Sequence, residues 1–137
     1  MPEGKNRATR IDIEQESSIY KASEAARKIA SKLGFDNIKQ CKIATAVSEL
    51  ATNIHRYAGS GFILIRIIDI GSRQGVEIIA EDIGPGIADL KSALMDNFST
   101  SAGSLGIGLP GTQRMMDEFE IESKTGKGTL VKIREWL

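Results

Sequence analysis

The chain has 137 residues, and its 18 Lys and Arg balance its 18 Asp and Glu, so it carries no net charge. This length favours one domain, and hydrophobic residues at 41% with charged residues at 26% are typical of a soluble globular protein. The balanced charge, without a block of one sign, argues against nucleic acid and membrane partners. A single cysteine, and no apolar run long enough for a membrane span, favour a cytoplasmic location.

The first half of the chain predicts one strand followed by two helices. Alternating polar and apolar residues over 9–14 are typical of a short, half-buried strand. Apolar residues recur every three or four positions over 18–33 and Gly34 follows, which predicts an amphipathic helix with a glycine stop. Asp36 can cap a second helix. We expect the apolar stripe of that helix to face the core; it consists of Ile38, Cys41, Ala44, Val47, Ala51 and Ile54.

The second half predicts two β-hairpins and, between them, a glycine-rich segment. The expected hairpins pair residues 62–70 with 76–82, and residues 118–122 with 129–133. Residues 84–111 hold six of the 14 glycines and little regular pattern. Because loops of this length in compact domains are usually functional, we expect a mobile lid at about 89–106 within a single domain covering 1–137.

Glu49 and Asn53 lie four residues apart on the second predicted helix, so their side chains project from one face. A carboxylate there can accept a proton, and an amide oxygen can ligate a hard cation. Taken alone, this spacing is more typical of a solvated helix surface. The pair becomes informative only together with other motifs.

A second motif, Asp82 followed by Gly84 and Gly86, stands where an Ile-rich strand ends. An ionised aspartate only accepts hydrogen bonds, so a buried Asp82 needs an amine-bearing ligand or a backbone donor nearby. The glycines permit close approach of the backbone to a ligand, or a turn with positive φ. A strand-ending turn with an exposed aspartate is an equally good interpretation of this motif alone.

A third motif runs from Gly103 through Gly106 and Gly108 to Gly111, where Pro110 can begin a helix. Unhindered backbone N–H groups at a helix start form a site for phosphate oxygens. The spacing of the last three glycines matches a dinucleotide fingerprint, but no apolar strand precedes it and no acidic residue follows about twenty positions on. We therefore reject a Rossmann site, and the P-loop spacing is absent too.

In this order the three motifs resemble the GHKL family of ATP-binding domains, and the resemblance covers nearly the whole chain. It is closer still to the RsbT-type serine/threonine switch kinases of the bacterial stressosome, in the sequences SELATN at 48–53, AEDIGPGI at 80–87, FSTS at 98–101 and GLPG at 108–111. The resemblance implies an α/β fold, a two-layer sandwich of a mixed β-sheet packed on helices (the Bergerat fold). It also implies ATP and Mg²⁺ as cofactors.

Carried over residue by residue, the resemblance implies that Glu49 is the general base and that Asn53 ligates Mg²⁺ between the ATP phosphates. It implies that Asp82 accepts from the adenine amino group and that Thr129 supports the opposite edge of the adenine. The other implied nucleotide-binding residues are Gly84 and Gly86 at the adenine pocket, and Gly103, Gly106, Gly108 and Leu109 in the second glycine box.

The sequence departs from the wider family in two places. Tyr57 stands where many members have a histidine four residues after the asparagine, and the lone His55 follows Asn53 by two residues, so we assign His55 no catalytic role. Related anti-sigma kinases have an arginine before the second glycine box that could contact the γ-phosphate, whereas Ser104 and Leu105 stand here. Whether a cation beyond Mg²⁺ contacts that phosphate stays open.

The resemblance implies a kinase that phosphorylates STAS-domain proteins of a stressosome and is thereby released to activate a downstream output regulator such as a phosphatase. Two alternatives stay open: an anti-sigma-factor kinase that holds a sigma factor, and a nucleotide-gated binding module without significant phosphotransfer. We do not expect a sensor histidine kinase, because 137 residues leave no room for a helix pair bearing a phosphoacceptor histidine.

Overall fold

The computed structural model describes residues 8–87 and 108–137, and the expected lid at 89–106 lies outside them. The described residues form five strands, three α-helices and one π-helical turn. In chain order these are β1 (Ala8–Ile13), α1 (Glu16–Leu33), α2 (Asn37–Asn53), the π-turn (Ile54–Ala58), β2 (Gly61–Ile70), β3 (Arg73–Asp82), α3 (Gly108–Met115), β4 (Glu118–Lys124) and β5 (Gly128–Trp136). Within those two ranges, no helix combines the length and apolar character needed to cross a membrane.

The strands form one sheet in the order β1-β2-β3-β5-β4, and the helices pack against one of its faces. The predicted two-layer α/β sandwich is confirmed, with one correction: all four neighbouring pairs in the described sheet are antiparallel, so the sheet is not mixed. β1, β3 and β4 run in one direction, but β2 lies between the first two and β5 between the last two. Strands of the same direction are therefore never neighbours.

The ends of α1 and α2 follow the local signals in the sequence. Gly34 ends α1 with a φ of 111°, and the Asp36 carboxylate caps α2 by accepting from the Lys39 N–H at 2.8 Å. The two helices return the chain to the end of the sheet where β1 finishes, so Ile13 lies opposite Gly61. This return is why β2 runs antiparallel to β1.

The predicted core face of α2 is wrong at the N-terminal end of the helix. Ile38 is 70% exposed and Cys41 is exposed as well. At about 100° per residue, both lie on the side of the helix roughly opposite Ile43, which is buried in the core. The buried hydrophobic residues of α2 and the π-turn are Ile43, Ala46, Val47, Leu50, Ala51 and Ile54. Two sides of α2 carry apolar residues, and the residues that the structure describes cover only one of them.

The face of the sheet opposite the helices carries an ion-pair ladder centred on Glu77. Its fully buried carboxylate accepts from Arg66 Nε at 2.6 Å and from Arg134 Nε at 2.7 Å. Burial alone raises the pKa of Glu77, but the hydrogen bonds from Arg134 and Arg66 outweigh it and hold this pKa below its ordinary value. The ladder joins three neighbouring strands, β2, β3 and β5.

Candidate functional site

Asp82 ends the central strand β3 and lies directly opposite Gly61 of β2 and Thr129 of β5. Directly opposed residues share one face of a sheet, and by alternation Asp82 shares the face of the buried Ile78 and Ala80. Its carboxylate and the Thr129 hydroxyl therefore project side by side toward the helical layer. The structure thus brings together the two residues predicted to flank the adenine.

The carboxylate of Asp82 makes one hydrogen bond with the turn that follows it. Oδ1 accepts from the Gly84 N–H at 2.9 Å, so the backbone donor expected from the sequence is present. Among residues 8–87 and 108–137, this is the hydrogen bond that the Asp82 carboxylate makes, and it does not involve Oδ2. One carboxylate oxygen therefore remains to accept a hydrogen bond from a ligand.

The two glycines after Asp82 allow the turn to pack tightly against its neighbours. A Cβ on Gly84 would lie 2.5 Å from the Cβ of Ala58 in the π-turn. Gly86 has a φ of +78°, and a Cβ there would lie 2.2 Å from the carbonyl oxygen of Lys124 in β4. Larger residues would push the turn away from both contacts. The glycines therefore position Asp82 through packing.

Ser123 is a residue of this end of the sheet that the sequence analysis missed. Its Oγ lies 2.8 Å from Thr129 Oγ1, and it accepts from the Ile87 N–H at 2.7 Å. The two hydroxyl residues are direct partners in the β4–β5 pairing. The hairpin register would have revealed this pair, because both residues are equally far from the turn.

Glu49 lies deep in the molecule beside the start of α3. Its side chain is 2% exposed, and Oε1 accepts from the Gly108 N–H at 3.1 Å. Gly108 is the first residue of α3 and has a φ of 54°. The structure therefore joins the first and third motifs through a direct contact. The Gly108 N–H therefore donates to the Glu49 carboxylate in this structure. The sequence analysis predicted instead that Gly108 flanks a triphosphate.

The remaining residues of the second glycine box have different surroundings. Leu109 is predicted to bind nucleotide, but its side chain packs in the hydrophobic core, so any contact with a nucleotide would have to come from its backbone. Pro110 lies in the first turn of α3, as predicted. Gly103 and Gly106 lie outside the described residues.

Asn53 ends α2, and the π-turn follows it at once. The Gly59 N–H donates to the Ile54 carbonyl at 3.0 Å, which closes the wider π-helical ring. Such turns often occur at functional sites. Here the π-turn carries the chain from Asn53 to Ala58, which contacts the turn after Asp82. His55 lies within it with a buried Nδ1 that has no hydrogen-bond partner among the described residues.

The residues around Asn53 suit a cation that takes most of its coordinating oxygens from a bound molecule. In the described part of the chain, no group of three His, Cys, Asp or Glu residues could hold a metal ion by itself. Mg²⁺ is commonly bound by one or two protein oxygens together with substrate phosphates. The single amide oxygen of Asn53, one helical turn from Glu49, fits this mode of binding.

Comparison with known proteins identifies a family and similar proteins. Residues 13–135 match the family model described as the histidine kinase-like ATPase domain. The chain is 46% identical over 127 residues to the serine/threonine-protein kinase RsbT of Bacillus subtilis (strain 168), covering 93% of this chain and 95% of that protein. It is 40% identical over 100 residues to the anti-sigma F factor of Thermoanaerobacter sp. (strain X514), covering 69% and 68% of the two chains.

Two solved structures share the fold at low sequence identity. The mycobacterial sensor histidine kinase MprB is similar with a TM-score of 0.56 and 16% identity, covering 95% of this chain and 97% of that chain. The catalytic domain of the histidine kinase ThkA is similar with a TM-score of 0.52 and 14% identity, covering 93% and 95%. The layered arrangement of sheet and helices is therefore shared with these two histidine kinase structures.

Proposed function

The chain belongs to the histidine kinase-like ATPase domain family, and on this premise we propose that it is an ATP-dependent protein serine/threonine kinase. The observation that carries the proposal is the position of Glu49. Its buried carboxylate lies 3.1 Å from the backbone N–H at the start of α3, where the glycine box meets the helix. A carboxylate at that point is placed to meet a hydroxyl that approaches bound phosphates.

We assign the adenine end of the nucleotide to Asp82 and Thr129. Asp82 Oδ2 would accept from the exocyclic amino group, while Oδ1 stays bonded to the Gly84 N–H. Thr129, whose Oγ1 lies 2.8 Å from Ser123 Oγ, would support the other edge of the ring. Gly84 and Gly86 would keep the turn close enough for this contact. The glycine box, with Gly103, Gly106, Gly108 and the Leu109 backbone, would flank the triphosphate.

Asn53 would hold Mg²⁺ through its side-chain oxygen. When bound, the cation would neutralise negative charge on the phosphates during transfer. The amide adds an oxygen ligand without adding negative charge beside Glu49. Asn53 therefore orients the phosphates, and Glu49 is left to act on the substrate.

Glu49 would act as the general base in the transfer step. It takes the proton of a substrate serine or threonine hydroxyl as that oxygen attacks the γ-phosphorus. The new oxygen–phosphorus bond forms while the bond to the bridging oxygen of the leaving ADP breaks. The proton then resides on Glu49 until the products leave and water reaches the site. Exclusion of water from this step is the role we propose for the segment at 89–106.

We propose STAS-domain proteins of a stressosome as the substrates. Phosphorylation would weaken their hold on the kinase and release it toward a downstream output regulator such as a phosphatase. The use of ATP as the donor is consistent with a cytoplasmic location. The sequence identity with a serine/threonine-protein kinase over nearly the whole chain supports the kinase activity on which this proposal depends.

A second candidate is an anti-sigma-factor kinase, which the similarity to anti-sigma F factors favours. Such a protein would bind a sigma factor and release it when the kinase meets another partner. A third candidate is a binding module whose choice of partner is controlled by bound nucleotide and which transfers little phosphate. The buried Glu49 beside the glycine box argues for transfer.

One assay distinguishes the three candidates. The purified protein is incubated with radiolabelled ATP, Mg²⁺ and either a recombinant STAS-domain stressosome protein or a sigma factor. We expect label on a serine or threonine of the STAS protein, which mass spectrometry can locate. We expect no stable complex with a sigma factor. Capture of a sigma factor would favour the second candidate. ATP binding without label on any protein would favour the third.

A further inference from the structure

An open groove lies between the N-terminal half of α2 and the C-terminal end of α3. Its volume is about 390 Å³ and its lining surface is mostly apolar. The lining residues are Asn37, Ile38, Cys41, Lys42, Thr45 and Met115. Ile38 is 70% exposed, so the described residues leave a large apolar side chain uncovered. Ile38, Cys41 and Met115 group their apolar surface around the groove, and grouped apolar surface marks a binding site more strongly than a single exposed residue does.

The groove and the candidate catalytic carboxylate lie on the same side of α2. Lys42, Thr45 and Glu49 follow one another at steps of three and four residues, so they form one stripe on the helix. Thr45 precedes Glu49 by four residues, which corresponds to roughly 6 Å along the axis. Ile38 is eleven residues from Glu49, or roughly 16 Å.

α3 borders both places. Its first residue, Gly108, donates to Glu49, and its last residue, Met115, lines the groove. The two helices that form the groove are therefore the two that bring the carboxylate to the glycine box. A protein bound in the groove would lie beside the site of phosphoryl transfer.

The charges around the groove favour an acidic partner. Lys42, one turn from the start of α2, is exposed and is the one charged side chain among the residues that line the groove. Nearby, Lys39 Nζ donates to the Trp136 carbonyl oxygen at 2.9 Å and forms an ion pair with Glu135 Oε2 at 3.8 Å. An apolar side chain flanked by carboxylates would complement this surface in shape and charge.

We propose that the groove docks the phosphoacceptor protein through an apolar side chain flanked by acidic residues. This inference rests on the proposed kinase function. Binding there holds the substrate within reach of Glu49 and makes the attack effectively intramolecular. The groove thus selects the protein substrate, while the glycine box and Asp82 select the nucleotide.

The test measures affinity and transfer separately. Calorimetry gives the affinity of Ile38→Asp and Lys42→Glu for the recombinant STAS-domain protein, in the presence of a non-hydrolysable ATP analogue. We expect each variant to bind at least about tenfold more weakly, as for a central interface residue. The KM for that protein in the transfer assay should rise by a similar factor, while kcat and the affinity for ATP stay within about twofold of wild type.

Matched controls make the same chemical changes elsewhere on the surface. Ile70→Asp alters a residue that is 53% exposed at the end of β2, and Lys28→Glu reverses an exposed charge on α1. Both should bind the STAS protein as wild type does. Equal affinity of wild type, Ile38→Asp and Lys42→Glu would overturn the docking proposal. A loss of self-association by Ile38→Asp in sedimentation, with unchanged STAS binding, would also overturn it, since the occupant would then be a second copy.

The docking proposal and the kinase proposal fail in different ways. A wild-type protein that binds the STAS protein through the groove but transfers no phosphate would refute the kinase function and leave docking supported. Phosphate transfer that is unaffected by either groove variant would refute docking and leave the kinase function intact.

Discussion

The buried carboxylate of Glu49 accepts a hydrogen bond from the Gly108 N–H at 3.1 Å, although 59 positions separate the two residues in the chain. This hydrogen bond orients the proposed catalytic carboxylate toward the glycine box. It also occupies the first backbone donor of α3.

Replacing Glu49 by glutamine should slow transfer and spare nucleotide binding. In Glu49→Gln the side-chain carbonyl can still accept from the Gly108 N–H, but the group can no longer take a proton. We expect the transfer rate to fall by about 10²–10⁴-fold, with the ATP dissociation constant within about twofold of wild type. Glu122→Gln, an exposed site on β4, is the control and should retain full activity. Full activity of Glu49→Gln would rule out Glu49 as the base.

Replacing Asp82 by asparagine should weaken ATP binding. The Oδ1 contact with the Gly84 N–H can persist, but an amide nitrogen in place of Oδ2 would face the adenine amino group donor to donor. We expect roughly a tenfold or greater loss of affinity, which calorimetry measures directly. Glu81→Gln changes the neighbouring carboxylate, which alternation places on the other face of the sheet, and should bind normally. Equal weakening in both variants would contradict a specific role for Asp82.

Gly86→Ala should destabilise the fold much more than Gly126→Ala. The two glycines have φ values of +78° and +81°, so the backbone strain of an added side chain is nearly the same. Only at Gly86 would the new Cβ meet an atom, 2.2 Å away at the Lys124 carbonyl oxygen. We expect Gly126→Ala to lose about 1 kcal/mol and Gly86→Ala about 2–4 kcal/mol in urea unfolding. Similar losses would mean that the packing of this turn does not restrict residue 86.

The Glu77 ladder should stabilise the protein at neutral pH and lose its effect in acid. The pKa of Glu77 is lower in the folded state than its ordinary value of 4.5, so folding favours the charged form. This contribution is present above the unfolded pKa and is lost as the pH falls through the folded pKa. Glu77→Gln should therefore cost about 1–3 kcal/mol at pH 7 and progressively less below about pH 4.

Chemical unfolding of wild type and Glu77→Gln between pH 7 and pH 3 measures this difference. The control is Glu120→Gln, whose exposed pair with Lys132 at 3.5 Å should contribute less than about 1 kcal/mol. A stability difference between wild type and Glu77→Gln that does not change with pH would show that shape, and not charge, accounts for the effect of the ladder.

The two sides of α2 show what the spacing of apolar residues can predict and what it cannot. The spacing of apolar residues predicted the helix, and Asp36 predicted where it begins, because both signals act over a few neighbouring residues. The same spacing placed Ile38 and Cys41 in the core, although both are exposed. Which side of a helix is covered depends on the sheet and on α3, and the spacing within α2 contains no information about them.

The strands, the helices, the caps at Gly34 and Asp36 and the residues of the three motifs could be predicted from the sequence, since these depend on capping, turn chemistry and hydrophobic period along a short stretch of chain. The antiparallel strand order, the contact of Glu49 with Gly108, the pairing of Ser123 with Thr129 and the groove beside Met115 became evident in the folded molecule. Each of these joins segments whose approach depends on how whole elements pack, and packing free energy is gained between residues distant in the chain.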